Sequence, residues 1–333
     1  MNWKISFIIP VYNRPEEIKE LLESIVQMNF KDSFEIVLVE DGSTQTSEVI
    51  VDSFKNKLNI AYFFKTNSGP GDSRNYGMHR ATGDFFVILD SDCILPPGYL
   101  KAVTSALSKR PMDCFGGPDA AHESFSDLQK AINYSMTSYL TTGGIRGKNR
   151  AVQKFEPRSF NMGLSKTAFQ ATGGFGKIHP GEDPDLSLRL RKAGFKTHFL
   201  KDAFVYHKRR ISWKSFYQQV KKFGLVRPIL TLWHPESAKI TFWFPSLFVL
   251  YIIVGLICLV FGYWQIAASV VFYLLLIFID SFLSSKSIWV ALLSVKAVCV
   301  QFFGYGLAFL KSTFFIRLLK QDPEKKFPNL FFD

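Results

Sequence analysis

Three acidic groups in this chain occupy positions that ask for a chemical reason: Asp41 in Glu40-Asp41-Gly42-Ser43, the pair in Asp90-Ser91-Asp92, and Glu182-Asp183 in the cluster at 181–185. Two carboxylates two positions apart, directly after the apolar run at 85–89, suit a hard divalent cation such as Mg²⁺ or Mn²⁺, which in turn clamps a diphosphate. The same Asp-x-Asp is also common as a plain turn. Asp183 stands where a helix is predicted to open, so it serves either as a cap or as a base that takes the proton of an attacking hydroxyl. Asp41, at a strand end, can accept the N–H of a nucleobase or simply form an Asp-Gly turn. Gly69-Pro70-Gly71-Asp72-Ser73-Arg74-Asn75 precedes another predicted helix, where glycines and one arginine allow close approach to a diphosphate. It has no Gly-Lys-Ser/Thr, which disfavours NTP hydrolysis.

The elements that must position these groups read as strand and helix in alternation, the pattern of an α/β domain with a largely parallel sheet. Residues 5–11, 34–39, 60–64 and 85–89 are short apolar runs, as strands buried on both faces should be. Helices are predicted over 16–28, with Pro15 opening the first turn, over 71–81, and over 186–193, stopped by Gly194. Three successive strands end in polar text: Tyr12-Asn13, Glu40 to Ser43, and Asp90 to Asp92. Open α/β sheets bind ligands outside the carboxyl ends of their strands, so the candidate chemistry falls where that fold places a site. Further along, 114–117 and 160–164 have strand character, 126–140 is amphipathic, and 141–150 reads as a flexible loop.

Composition divides the chain near Lys239. Of 333 residues 47% are hydrophobic, and the apolar text concentrates in 240–316. Residues 242–264, 266–283 and 288–310 are each about the ~20 residues needed to cross a bilayer. Asp280 and Lys296 are costly there unless paired or near an interface. Lys and Arg on the segment after 310 favour two spans plus an interfacial or re-entrant third segment, a reading compatible with Gly304 and Gly306. The net charge of +12 thickens at about 201–239, just before the apolar region, which fits an anionic lipid surface better than nucleic acid. The organisation expected is a domain at 1–239, a membrane region at 240–316 and a polar tail at 317–333. The opening residues show no secretory signal pattern, so the first domain is expected on the cytoplasmic side of the inner membrane. Four scattered cysteines, with no CxxC, suggest neither a zinc site nor a disulfide framework.

In its ordered motifs the chain resembles the family 2 glycosyltransferases, bacterial cell-surface polysaccharide type, which have the GT-A nucleotide-diphospho-sugar fold. The matching text is Ser6 to Asn13 (SFIIPVYN), Val39 to Ser43, Gly69 to Ala81, Leu89 to Asp92, Phe160 to Gly163, Gly173 to Phe175 and Gly181 to Asp183. The resemblance implies a nucleobase pocket lined by Pro10, Tyr12 and Asp41. It implies Arg74 near the diphosphate, Asp90 and Ser91 near the ribose or metal, and Asp92 as the principal ligand of Mg²⁺ or Mn²⁺, with His207 reaching the metal or diphosphate or merely packed. Asp183 would be the base of an inverting transfer, and Asn161, Met162, Gly163 and Glu182 would border the acceptor. The partners implied are a nucleotide-sugar donor, a lipid-linked or glycan acceptor and membrane lipids, without nucleic acid. Glu40 stands where relatives commonly carry Asp. A polyprenyl-phosphate sugar synthase, and a non-catalytic membrane scaffold on a degenerate fold, are the competing readings.

Overall fold

The structure is a computed structural model that describes residues 3–120, 125–142, 156–208 and 212–332. Most of the loop expected at 141–150 lies outside the described residues. Among the described residues the strands are β1 (Ile5–Val11), β2 (Phe34–Asp41), β3 (Ile60–Lys65), β4 (Phe85–Leu89), β5 (Cys93–Ile94), β6 (Cys114–Gly116), β7 (Asp119–Ala120), β8 (Asn161–Ser165), β9 (Thr197–Phe199) and β10 (Val205–His207). Seven form a mixed sheet in the order β3-β2-β1-β4-β8-β6-β9. Strands β3, β2, β1 and β4 run parallel to one another, whereas β8 is antiparallel to both β4 and β6. Strands β5, β10 and β7 make a second, small sheet.

Side chains alternate across a strand, so one apolar run feeds two cores. Phe7 and Ile9 of β1 enter a core shared with the helices Pro15–Val26 and Tyr99–Lys109. Ile8, between them, packs on the other face with Met78, Leu186 and Leu190 from the helices Pro70–Arg80 and Glu182–Lys192. This three-layer arrangement explains why β1 and β4 lack polar alternation: neither face meets water. Its consequence for function is geometric. The ends of β1, β2 and β4 share one rim with the start of β8, because Leu89 pairs with Asn161.

The chain separates into two compact units, and they do not divide at Lys239. One comprises residues 1–122, 154–208 and 331–333; the other comprises 123–153 and 209–330. The second unit therefore recruits the helix Asp127–Thr137, opened by a capping box between Ser126 and Gln129, and the helix Trp213–Trp233. Three of its segments, Ile240–Val260, Gln265–Ser285 and Ile288–Leu318, are long and apolar enough to cross a membrane by length and composition. The third, expected to be interfacial or re-entrant, is one unbroken α-helix over Ile288–Ser312. Its glycines are packing sites and not breaks. A Cβ on Gly304 would fall 2.7 Å from Val220 Cγ2, and one on Gly306 would fall 2.8 Å from the Pro245 carbonyl oxygen. Small residues permit such close helix approach. Nor is the segment after 316 simply polar: Phe327 and Leu330 are buried.

Candidate active site

The rim begins with two tied loops. Asn13, at positive φ, accepts from the N–H groups of Thr44 (2.8 Å) and Gln45 (3.0 Å), joining the end of β1 to the end of β2. Glu40 is fully buried and accepts from the Ser47 N–H (2.8 Å) and the Tyr62 hydroxyl (3.2 Å), so it holds the turn after β2. Asp41 is 3% exposed. Its Oδ1 accepts from Lys65 Nζ (2.7 Å) and the Ser68 N–H (3.0 Å), and its Oδ2 accepts from the Gly69 N–H (2.9 Å). Three of its acceptor positions are thus spent on its own chain, and its evident task is to fix the 66–69 loop. Pro10 is buried beneath the rim, and Tyr12 is 53% exposed upon it.

That loop opens the helix Pro70–Arg80, whose Arg74 is the charge at the centre of the site. The guanidinium is 3% exposed. It donates to Asp90 Oδ1 (2.7 Å) and to Glu182 Oε1 (3.0 Å), and its plane lies 5.2 Å from the Phe175 ring. Both terminal nitrogens are therefore engaged by carboxylates, and among the described residues Nε has no acceptor. Gly71 makes this crossing possible, since a Cβ there would fall 2.9 Å from the Gly176 carbonyl oxygen. Glu182 also meets His179 Nδ1 at 3.0 Å. Burial pushes the Glu182 carboxyl up, but His179 and Arg74 outweigh burial and hold it well below the usual carboxylate range. Its neighbour Asp183, at the helix N-terminus, lies 3.5 Å from Arg158 Nη1.

The third group sits where β4, β5 and β10 meet. His207 Nε2 lies 3.2 Å from Asp92 Oδ1 and 3.9 Å from Asp90 Oδ2, while its Nδ1 lies 3.8 Å from the buried Asp119. The imidazole stacks on Phe160, with centroids 4.7 Å apart and 18° between planes, which fixes its orientation. Asp92 Oδ2 accepts from Arg14 at 2.6 Å. Asp92, Cys93 and His207 each bring a ligand atom within 4.8 Å of the others. Cys93 is the poor member: burial, then the nearby Asp92 and Asp90, push its thiol well above the ordinary value and keep it neutral. Carboxylate oxygens with one imidazole nitrogen remain, a donor set that fits Mg²⁺ or Mn²⁺.

Arg74, Asp90, Asp92, Glu182 and His207 are thus linked by short contacts; Asp41 fixes the loop that precedes the Arg74 helix, Asp183 follows Glu182 in sequence, and Ser91 lies buried between the two aspartates. The acceptor-side expectation needs correction. Asn161 is 0% exposed, donating to the Ala203 carbonyl (2.8 Å) and accepting from the Tyr99 hydroxyl (2.6 Å). Met162 lies in the core, and Gly163 lies under Phe115, whose ring a Cβ would meet at 2.0 Å. These three are packed inside the fold and hold β8 in place. Glu182 is likewise buried and pairs with Arg74. Arg14, Lys65, Arg158 and His179 escaped the sequence reading because single basic residues carry no spacing signal. Arg14 had one clue, its place at the end of β1 beside Asn13.

This rim crowns a mixed-sheet α/β domain, and comparison with known proteins gives the domain's family. Residues 6–171 match the model of glycosyl transferase family 2, and the chain belongs to that family through this domain. The poly(ribitol-phosphate) β-N-acetylglucosaminyltransferase TarS of Staphylococcus aureus is 38% identical over 113 residues, 33% of this chain and 20% of the relative. A poly(ribitol-phosphate) β-glucosyltransferase of Bacillus spizizenii is 39% identical over 93 residues, 27% of this chain and 15% of that protein. The chain therefore spans a minor part of these relatives. A mannosyltransferase from Pyrobaculum calidifontis, solved with GDP-Man and Mn²⁺, shares the fold at a TM-score of 0.57 and 15% identity, covering 97% of this chain and 89% of that one.

Proposed function

We propose that the chain is a membrane-associated, metal-dependent, inverting glycosyltransferase that moves a sugar from a nucleotide-diphospho-sugar to a lipid-linked or surface-glycan acceptor. The observation that carries this reading is the Asp90–Arg74–Glu182 bridge, which brings the Asp92–His207 pair and Asp183 to one rim. Asp92 and His207, with Asp90 beside them, would hold the divalent cation. When bound, that ion neutralises charge on the departing nucleoside diphosphate. Tyr12 and Pro10 border the base, and Asp41 keeps the 66–69 loop in register with it. Arg74 sets a positive potential beneath the diphosphate while restraining both carboxylates. Asp183 takes the proton of the acceptor hydroxyl as that oxygen bonds to the anomeric carbon and the bond to the diphosphate breaks. Arg158, 3.5 Å away, pairs with Asp183 and orients it for that task. The apolar helices of the second unit, with the catalytic domain on the cytoplasmic side, would hold the site near a lipid-bound acceptor and raise its local concentration.

The test is a screen of UDP-, GDP- and dTDP-sugars with Mn²⁺ on the whole chain, followed by two variants. Asp183→Asn should lower kcat by about 10²–10⁴-fold and leave donor affinity near wild type. Asp92→Ala should weaken Mn²⁺-dependent donor binding measured by calorimetry. Transfer to polyprenyl phosphate itself needs no base, so an active Asp183→Asn enzyme with an extractable lipid-phosphate-sugar product would replace this reading. A chain that neither hydrolyses nor transfers any donor in the panel would be a scaffold.

A further inference from the structure

Two loops flank Arg74, and one late segment of the chain touches both. Phe331 bridges Ile178 in an isolated antiparallel pair, and the Phe332 N–H donates to the Lys177 carbonyl at 3.1 Å. The Phe332 ring lies 5.9 Å from the His179 ring, tilted by 56°. Its second contact is Gly69: a Cβ built there would fall 2.4 Å from the ring carbons. Only glycine fits, for the space and also for the φ of +90° that Gly69 adopts. Residues 331–333 accordingly belong to the sheet unit, although the preceding stretch belongs to the other.

One contacted residue precedes the helix that carries Arg74, and the other holds a carboxylate that Arg74 uses. Gly69 donates its N–H to Asp41 and immediately precedes the helix that carries Arg74. His179 holds the Glu182 oxygen that Arg74 also uses. An aromatic ring is a rigid clamp, with large contact area and few rotamers to lose. We propose that Phe332 is a positioning residue for the donor diphosphate: by clamping Gly69 and His179 it fixes the first turn of the helix Pro70–Arg80 and the carboxylate that aims Arg74. This inference rests on the donor-site reading above.

The whole chain in detergent, with Mn²⁺ and its best donor, distinguishes a clamp from mere packing. Phe332→Ala should raise the donor KM about tenfold while kcat stays within about twofold, because the interaction lost is one of binding and not of the transition state. Phe332→Tyr, which keeps the ring, should restore the wild-type KM. Should Phe332→Ala fail to fold, Phe332→Leu carries the test, with an intermediate rise in KM expected. An unchanged KM, or a fall in kcat and melting temperature with KM unmoved, overturns the proposal. Calorimetry with UDP and GDP in the presence of Mn²⁺ separates the two layers. If the wild-type chain binds neither nucleotide, the donor-site reading fails; if it binds one, and Phe332→Ala binds it equally tightly, only the clamp fails.

Discussion

The two units treat their polar groups in opposite ways. In the sheet unit, charge is gathered at one rim and neutralised pairwise: Arg14 with Asp92, Lys65 with Asp41, Arg74 with Asp90 and Glu182, Arg158 with Asp183. In the helical unit the polar groups are mostly hydroxyls turned onto backbone or onto each other. Ser246 donates to the Gly306 carbonyl (2.9 Å), Ser312 to that of Leu225 (2.7 Å), and Ser281 to Ser294 (2.8 Å). Even its acidic Asp280 accepts from hydroxyls, those of Tyr134 (2.5 Å) and Ser138 (3.3 Å). A buried charge that loses its partner is far costlier than a buried hydroxyl that does. The rim is therefore held by a few expensive contacts, and the helices by many cheap ones and close fit.

Breaking the rim should show the largest effect. Arg74→Met takes the guanidinium from Asp90 and leaves the buried Glu182 to His179 alone, and about 3–5 kcal/mol of unfolding free energy should be lost. Denaturant titration of the sheet unit's near-UV signal reads this, and a loss below about 1 kcal/mol would mean the rim charges are as cheap as hydroxyls. In the helical unit, the matching insult is steric. A Cβ on Gly224 would fall 2.3 Å from the Tyr305 carbonyl oxygen, so Gly224→Val should cost about 1–3 kcal/mol through overpacking. Thermal unfolding in detergent would show it, and an unchanged midpoint would place the tight fit elsewhere.

The smallest effect sharpens the comparison inside the sheet unit, away from the rim. Among the described residues Glu35 has no cation partner; it accepts from Ser6 Oγ (2.5 Å) and from the N–H groups of Thr82 (2.5 Å) and Gly83 (3.1 Å). Partial burial raises its pKa, but the bonds from Ser6 and Thr82 outweigh burial and lower it below the ordinary value. A carboxyl depressed on folding stabilises above its unfolded pKa of about 4.3 and loses that contribution as pH falls through its folded value. Glu35→Gln should therefore flatten the decline in melting temperature below about pH 4.5, with little change at pH 7. An equal decline in both proteins would assign the acid sensitivity to the rim carboxylates.

Much of the sheet unit was legible because its strands are continuous apolar runs that end in polar text. β1, β2, β3 and β4 fall on the predicted segments, and Asp90-Ser91-Asp92 follows β4 as the pattern required. β8 was legible as a strand but misleading as a site. Asn161 looks like a ligand-facing amide in sequence, yet its partners, Tyr99 and Ala203, lie some 40 to 60 positions away, where no local pattern reaches. The Arg74–Glu182 pair spans 108 positions for the same reason. In the helical unit, the long apolar helices were visible from hydropathy alone. The helix Trp213–Trp233 was not, since Pro228 and scattered lysines blur its periodicity, and only its packing against Gly304 and Tyr305 shows what it does.

The order in which the chain is made gives the segment at 331–332 a further meaning. A ribosome delivers the strands, the aspartates and the Gly69 loop first, then a long run of apolar helix, and only afterwards the phenylalanine that seats on that loop. A nascent chain can thus complete its sheet while still lacking the clamp. Domains emerging during synthesis fold in sequence, so with the proposed clamp full donor affinity would be acquired only after the apolar helices have been translated.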